Sequence, residues 1–170
     1  EVTGDLLVAM QAQPRAFVAT KVWTSGRDAG IAQMEASSRL LRDERIELMQ
    51  IHNLMDWKTH LPTLRAWKGE GRLKYLGVTH YRRDAHGELA RLLRAEPFDF
   101  VQLNYSIDDR AAEEALLPLA QERGVGVLVN LFALAVGALV TWWVARRYYR
   151  ESARDLQRGV ALLQKTISIL

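Results

Sequence analysis

Short apolar runs alternate with longer stretches of helical periodicity along most of this chain. Runs rich in β-branched and aromatic residues fall at 17–23 (FVATKVW), 46–52 (IELMQIH), 73–79 (LKYLGVT), 98–104 (FDFVQLN) and 125–130 (VGVLVN), and each predicts a strand. Successive starts lie 29, 27, 25 and 27 residues apart. One strand plus one crossover helix consumes about that length, so the pattern predicts repeated βα units and a parallel sheet. Between the strands, Ile31, Met34, Leu40 and Leu41 form an apolar stripe over residues 30–41, with Asp28 as the expected N-cap. A second stripe, Leu61, Leu64 and Trp67, stops at Gly69 and Gly71, and a third, Leu89, Leu92 and Leu93, precedes Pro97. Leu116, Leu117 and Ala120 make a fourth, which Gly124 ends. Residues 1–13 read as the helix before the first strand.

Five such units suit either a doubly wound sheet or part of a (β/α)8 barrel. A doubly wound dinucleotide fold follows its first strand with a glycine-rich turn, whereas Gly69-Glu70-Gly71 precedes a strand. A barrel gathers its functional side chains at the C-terminal ends of several strands. Those ends are polar here: Lys21, His52 with Asn53, Thr79 with His80, Gln102 with Asn104, and Asn130. The expected architecture is therefore α/β, a partial (β/α)8 TIM-type barrel of about five parallel strands followed by a long C-terminal helix.

Composition narrows the chemistry. With 170 residues, 49% of them hydrophobic, the chain can bury a core. Its 23 Lys and Arg against 20 Asp and Glu leave a net charge of +3, so no nucleic-acid partner is expected. The lack of cysteine excludes disulfides, thiolate metal sites and a cysteine nucleophile. No His and carboxylate set has metal-ligand spacing, so no metal site is expected. The opening at Glu1, without an initiator Met or a leader pattern, reads as a processed start or a piece of something longer.

Lys21 lies in a run expected to be buried on both faces, where an unpaired ammonium is costly and calls for a carboxylate partner. None is evident at the strand ends. His52 faces the same mouth, and Gln102, an amide inside an apolar run, needs buried partners or a ligand. His60 and His86 fall in helical or loop stretches and read as solvated.

Taken in order, FVATKVW, IELMQIHN, LKYLGVTHY, FDFVQLNYS and GVGVLVN resemble consecutive strands of the aldo-keto reductases, over residues 1–130. The resemblance implies a (β/α)8 barrel that binds NADPH in an extended conformation and passes its hydride to a small aldehyde or ketone without a metal. By the same resemblance, Lys21 corresponds to the strand-end lysine and His52 to the active-site histidine. Thr79 and His80 correspond to the Ser-Asn pair that holds the nicotinamide carboxamide, with His80 departing from Asn, and Gln102 to the amide that completes the cradle. The family's acid Tyr and the Asp that pairs with the lysine would precede Glu1, and no phosphate site is recognisable after Asn130. The chain by itself is accordingly expected to be inactive and to bind NADPH weakly. The alternative is a membrane-anchored, non-catalytic scaffold or binding protein derived from such a barrel.

The expected partition is a barrel part, 1–130, and a helical tail, 131–170. Residues 125–145 carry no charge, which as one helix would span about 31 Å. Trp142, Trp143, Tyr148 and Tyr149 supply an aromatic belt and Arg146, Arg147 and Arg150 a basic flank. A transmembrane segment at about 126–145 is thus a candidate, although its first residues also belong to the fifth strand and cannot do both. If that strand forms, 131–145 remains as the membrane contact, and membrane association is favoured over a cytoplasmic location. Tyr149, Ala153, Leu156, Val160, Leu163, Ile167 and Leu170 continue at heptad spacing, an amphipathic helix suited to self-association.

Overall fold

The computed structural model describes residues 2–130. The expected tail helix, its membrane contact over 131–145 and its self-association lie outside the described residues. In chain order the elements are α1 (Val2–Ala9), β1 (Ala19–Val22), α2 (Arg27–Leu41), β2 (Ile46–Ile51), α3 (Trp57–Gly69), β3 (Leu73–Thr79), α4 (His86–Ala95), β4 (Phe100–Asn104), α5 (Leu116–Arg123) and β5 (Gly126–Asn130). All strand pairs are parallel, and the strands lie in sequential order β1-β2-β3-β4-β5. A doubly wound sheet reverses direction at a switch point, whereas a barrel wall advances one strand at a time. The order therefore settles the alternative left open by the pattern. Because residues 126–130 form β5, the uncharged stretch does not begin as a helix there.

Side chains alternate between two chemically different faces. One carries Val22, Met49, Ile51, Leu76, Val78, Val101 and Leu103, which bury together with Met34, Leu64, Leu89 and Leu93 from the helices. At about 2 kcal/mol per buried aliphatic side chain, this layer holds the sheet to its helices. The opposite face reads upward in layers. Phe17, Tyr75 and Phe100 form a ring cluster with centroids 5.4 to 6.2 Å apart. The register sets Lys21 beside Gln50, Gln50 beside Gly77 and Gly77 beside Phe100 of that cluster. A Cβ at Gly77 would meet Gln50 Cγ at 2.7 Å, so glycine there makes room for that amide. At the top come Thr79 beside Gln102 and Asn104 beside Asn130.

Three local expectations are corrected. α2 starts at Arg27, with Gly26 as its N-cap at φ 87 and no side-chain cap, so Asp28 sits in the first turn instead. Leu40 is 50% exposed, and of the expected stripe only Met34 is fully buried. His60 is 1% exposed and His86 half-buried, so neither is freely solvated. By contrast, Gly124 at φ 66 ends α5 as expected, a left-handed position that suits glycine.

Asp99 ties the lower edge of the sheet together. Its Oδ2 accepts the Leu76 N–H at 2.7 Å and faces Lys68 Nζ at 2.6 Å. Its backbone N–H donates to the Leu76 carbonyl at 2.9 Å, and its carbonyl accepts from Gly126 N–H at 2.8 Å. Asp99→Ala should cost about 2 kcal/mol, mainly because the Leu76 N–H loses its acceptor. Lys68→Met should cost less than about 1 kcal/mol, since that ammonium is part-exposed. Urea denaturation of the two variants checks the ranking, and equal losses would refute it.

Candidate active site

The parallel register brings the strand-end residues to one edge. His52 follows β2 directly, in a 3-10 turn (His52–Leu54) where Asn53 has φ 53. Leu54 at φ 58 and Asp56 at φ 47 are also left-handed. Asparagine and aspartate tolerate that region, and Leu54, buried at the same turn, does so at a cost of order 1 kcal/mol. The turn directs the Asn53 N–H at Thr79 Oγ1, 3.1 Å away, while the same hydroxyl meets His52 Nδ1 at 3.2 Å. Trp23, leaving β1, packs edge-on against the His52 ring with centroids 5.2 Å apart.

Lys21 lies on β1, where the described sheet ends, and is half-buried rather than enclosed on both faces. No carboxylate pairs with it among the described residues, so the expected partner is not found there. Beside it in register Gln50, 1% exposed, has a buried Nε2 without a hydrogen-bond partner among the described residues. Its spacing of two residues from His52 is the sequence signal that sets both on one face, and the register adds Lys21.

His80 begins the loop after β3. Its Nδ1 accepts the Arg82 N–H at 3.1 Å, its ring stacks on Tyr81, and its own backbone N–H donates to the Gln102 carbonyl at 3.0 Å. Gln102 Nε2 donates to Asn130 Oδ1 at 2.6 Å. Lys21, His52, Thr79, His80 and Gln102 therefore converge at the C-terminal edge. Asn53, Asn104 and Asn130, visible in the sequence only as polar strand ends, join them through hydrogen bonds.

Both histidines are held below the ordinary imidazole value, His52 by burial first, then by the Lys21 charge and by His80. Burial is also the main cause at His80, with Asp84 opposing it. The folded state thus binds fewer protons than the unfolded chain near the ordinary pKa of about 6.5. Stability from these groups is fully present above that pH and is lost as pH falls through the lower folded values. Thermal denaturation should show a decline below about pH 6.5 that flattens in His52→Gln. A slope unchanged by that substitution would remove His52 as its source.

The loop before α2 is clamped to α3. Asp56 Oδ2 accepts the Gly26 N–H at 2.7 Å and Oδ1 the Thr59 hydroxyl at 2.7 Å, and these bonds, Gly26 first, hold its carboxyl below the usual range. The His60 Nε2–H donates to the Thr24 carbonyl at 2.7 Å. Together they fix the segment that carries Trp23 to His52.

The model of the aldo/keto reductase family matches residues 1–170, a span that includes the tail set apart in the sequence. The chain is 31% identical over 91 residues to the NADH-specific methylglyoxal reductase of Escherichia coli (strain K12), covering 54% of this chain and 26% of that protein. Among solved structures it is similar to the holo form of an aldo-keto reductase from Bacillus halodurans, with 28% identity and a TM-score of 0.66 over 79% of this chain and 46% of that one. A glycerol dehydrogenase from Gluconobacter oxydans gives 25% identity and a TM-score of 0.62, over 80% and 45% of the two chains. The chain thus spans about a quarter of that curated relative and under half of these structures.

Proposed function

The chain belongs to the aldo/keto reductase family, and on that premise we propose that it forms part of an oxidoreductase that reduces small aldehydes or ketones with a reduced nicotinamide dinucleotide. The observation that carries this reading is the convergence of Lys21, His52, Thr79, His80 and Gln102 on one strand-end edge, with Thr79 in contact with His52.

The polar groups suit a carboxamide. Gln102 Oε1 makes no hydrogen bond among the described residues, so it can accept from an amide N–H. His80, with Nδ1 accepting from Arg82, keeps its proton on Nε2 and can donate to an amide oxygen. The bound nicotinamide would supply hydride to the carbonyl carbon. His52 serves the carbonyl oxygen. Thr79 Oγ1 accepts the Asn53 N–H and keeps its own proton to donate to His52 Nδ1, the arrangement that puts the proton of the neutral ring on Nε2 as this role requires. A positioned neutral donor stabilises the negative charge that develops on that oxygen. Lys21 adds positive potential to the same mouth and favours the neutral form of His52.

The resemblance points to NADPH, whereas the Escherichia coli relative is named NADH-specific, so both belong in the test. Titration of the purified protein with each reduced dinucleotide should show saturable binding that Gln102→Leu weakens, while consumption of the bound form by a small aldehyde is expected only of the longer reductase of which this chain forms part. No binding of either would reject the reading.

A further inference from the structure

Three amide side chains at the ends of β4 and β5 form a continuous line. Gln102 Nε2 donates to Asn130 Oδ1 at 2.6 Å, Asn130 Nδ2 to Asn104 Oδ1 at 3.2 Å, and Asn104 Nδ2 to the Tyr81 carbonyl oxygen at 2.6 Å. Any one amide pair would be satisfied equally well with nitrogen and oxygen exchanged. The far end of the line removes that freedom. A backbone carbonyl oxygen only accepts, so Asn104 must turn its NH2 to Tyr81 and its oxygen to Asn130. Asn130 must then turn its NH2 to Asn104 and its oxygen to Gln102, which meets it with NH2. Flipping any member alone sets oxygen against oxygen or nitrogen against nitrogen.

We propose that Asn104 and Asn130 are positioning residues that fix Gln102 with its nitrogen toward β5 and its Oε1 toward the end of β3, so that this subsite takes a neutral ligand group with an N–H to donate, a carboxamide, and rejects a carboxylate in its place. Two observations besides the line support this. Gln102 pairs in register with Thr79 on the β3 side, and its Oε1 makes no hydrogen bond among the described residues. An incoming carboxylate would face that oxygen like charge against partial charge, whereas an amide N–H completes it. The ligand assignment rests on the nicotinamide reading above. The polarity of the amide line does not.

The test therefore has two arms. Asn104→Asp is nearly isosteric and puts a carboxylate oxygen against the Tyr81 carbonyl oxygen, which raises the pKa of the introduced carboxyl in the folded state. The folded variant then binds that proton more tightly than its unfolded chain. Its loss of Tm relative to the unsubstituted protein should be several degrees at pH 7 and shrink toward pH 4, where the protonated carboxyl donates as the amide did. Asn130→Asp should behave alike, facing Asn104 Oδ1, while Asn104→Leu should show a deficit independent of pH. Deficits of the two Asp variants that are absent, or equal at pH 4 and pH 7, overturn the amide line. In the second arm, nicotinamide adenine dinucleotide should bind at least about tenfold more tightly than its nicotinic acid counterpart, with the ratio narrowed in Asn130→Leu. Equal affinities overturn the ligand assignment. Failure of both to bind overturns the nicotinamide reading itself, an outcome that the pH arm separates from failure of the amide line.

Discussion

In the longer reductase of which this chain is proposed to form part, replacing His52 by alanine is expected to lower nicotinamide-dependent carbonyl reduction by about 10² to 10⁴-fold, equivalent to about 3 to 5 kcal/mol of barrier, with the fold retained. The size follows from what is removed: a neutral donor, oriented through Nδ1 by the Thr79 hydroxyl and packed against Trp23, at the oxygen where charge develops. Its contribution to stability is far smaller. His52 is half-buried, and a neutral hydrogen bond is worth about 1 kcal/mol net. His52→Gln keeps a side-chain N–H and should keep more of the rate than His52→Ala. Steady-state kcat beside thermal denaturation separates chemistry from folding. A kcat within about threefold of the unsubstituted protein would take His52 out of the chemistry.

Gly30→Ala should destabilise the fold by about 2 kcal/mol, against the helix propensity that favours it. In α2 the intrinsic preference for alanine is about 1 kcal/mol. The added Cβ, however, would stand 2.5 Å from His60 Cε1 and 2.6 Å from Nδ1. That ring is 1% exposed and cannot withdraw without giving up its bond to the Thr24 carbonyl. Overpacking of this kind typically costs about 1 to 3 kcal/mol, and so deep an overlap belongs at the upper end. The sharper expectation is a change of sign. With His60 truncated to alanine the collision disappears, and Gly30→Ala should become stabilising by up to about 1 kcal/mol. A double-mutant cycle in urea measures this, and additive effects would show that the two residues do not meet. Because His60 also braces the loop that carries Trp23 to His52, the loss at Gly30 should be accompanied by weaker catalysis.

His60 shows where reading along the chain runs out. It sits in α3 in phase with Leu64 and Trp67, so helical periodicity puts it on the buried side of the helix, but nothing local shows what gives an imidazole room there. It is buried because a glycine thirty positions earlier, on α2, leaves a slot of the right size. Lys21 failed in the opposite direction. Its apolar neighbours suggest enclosure on both faces, yet the alternation of the strand sends Val22 to the helices and Lys21 to the other face, at an edge of the described sheet. Asp28 is a good capping residue by type, but the clamp from Asp56 to Gly26 starts α2 earlier.

What the chain determines by itself is what depends on neighbours in sequence: five β-rich runs, the helices between them, Gly124 as a stop, and polar residues closing each run. Covalent spacing and local propensity suffice for these, since both act within a few residues. Only the tertiary structure decided which strands adjoin, and so that Thr79 meets His52 and that Asn130 reaches Gln102 and Asn104. Those contacts join residues 26 to 28 positions apart. Their partners are chosen by parallel register and by the parity that puts each side chain on one face or the other. A shift of one residue would carry every one of these groups to the wrong face, which is why no reading of a single run could supply them.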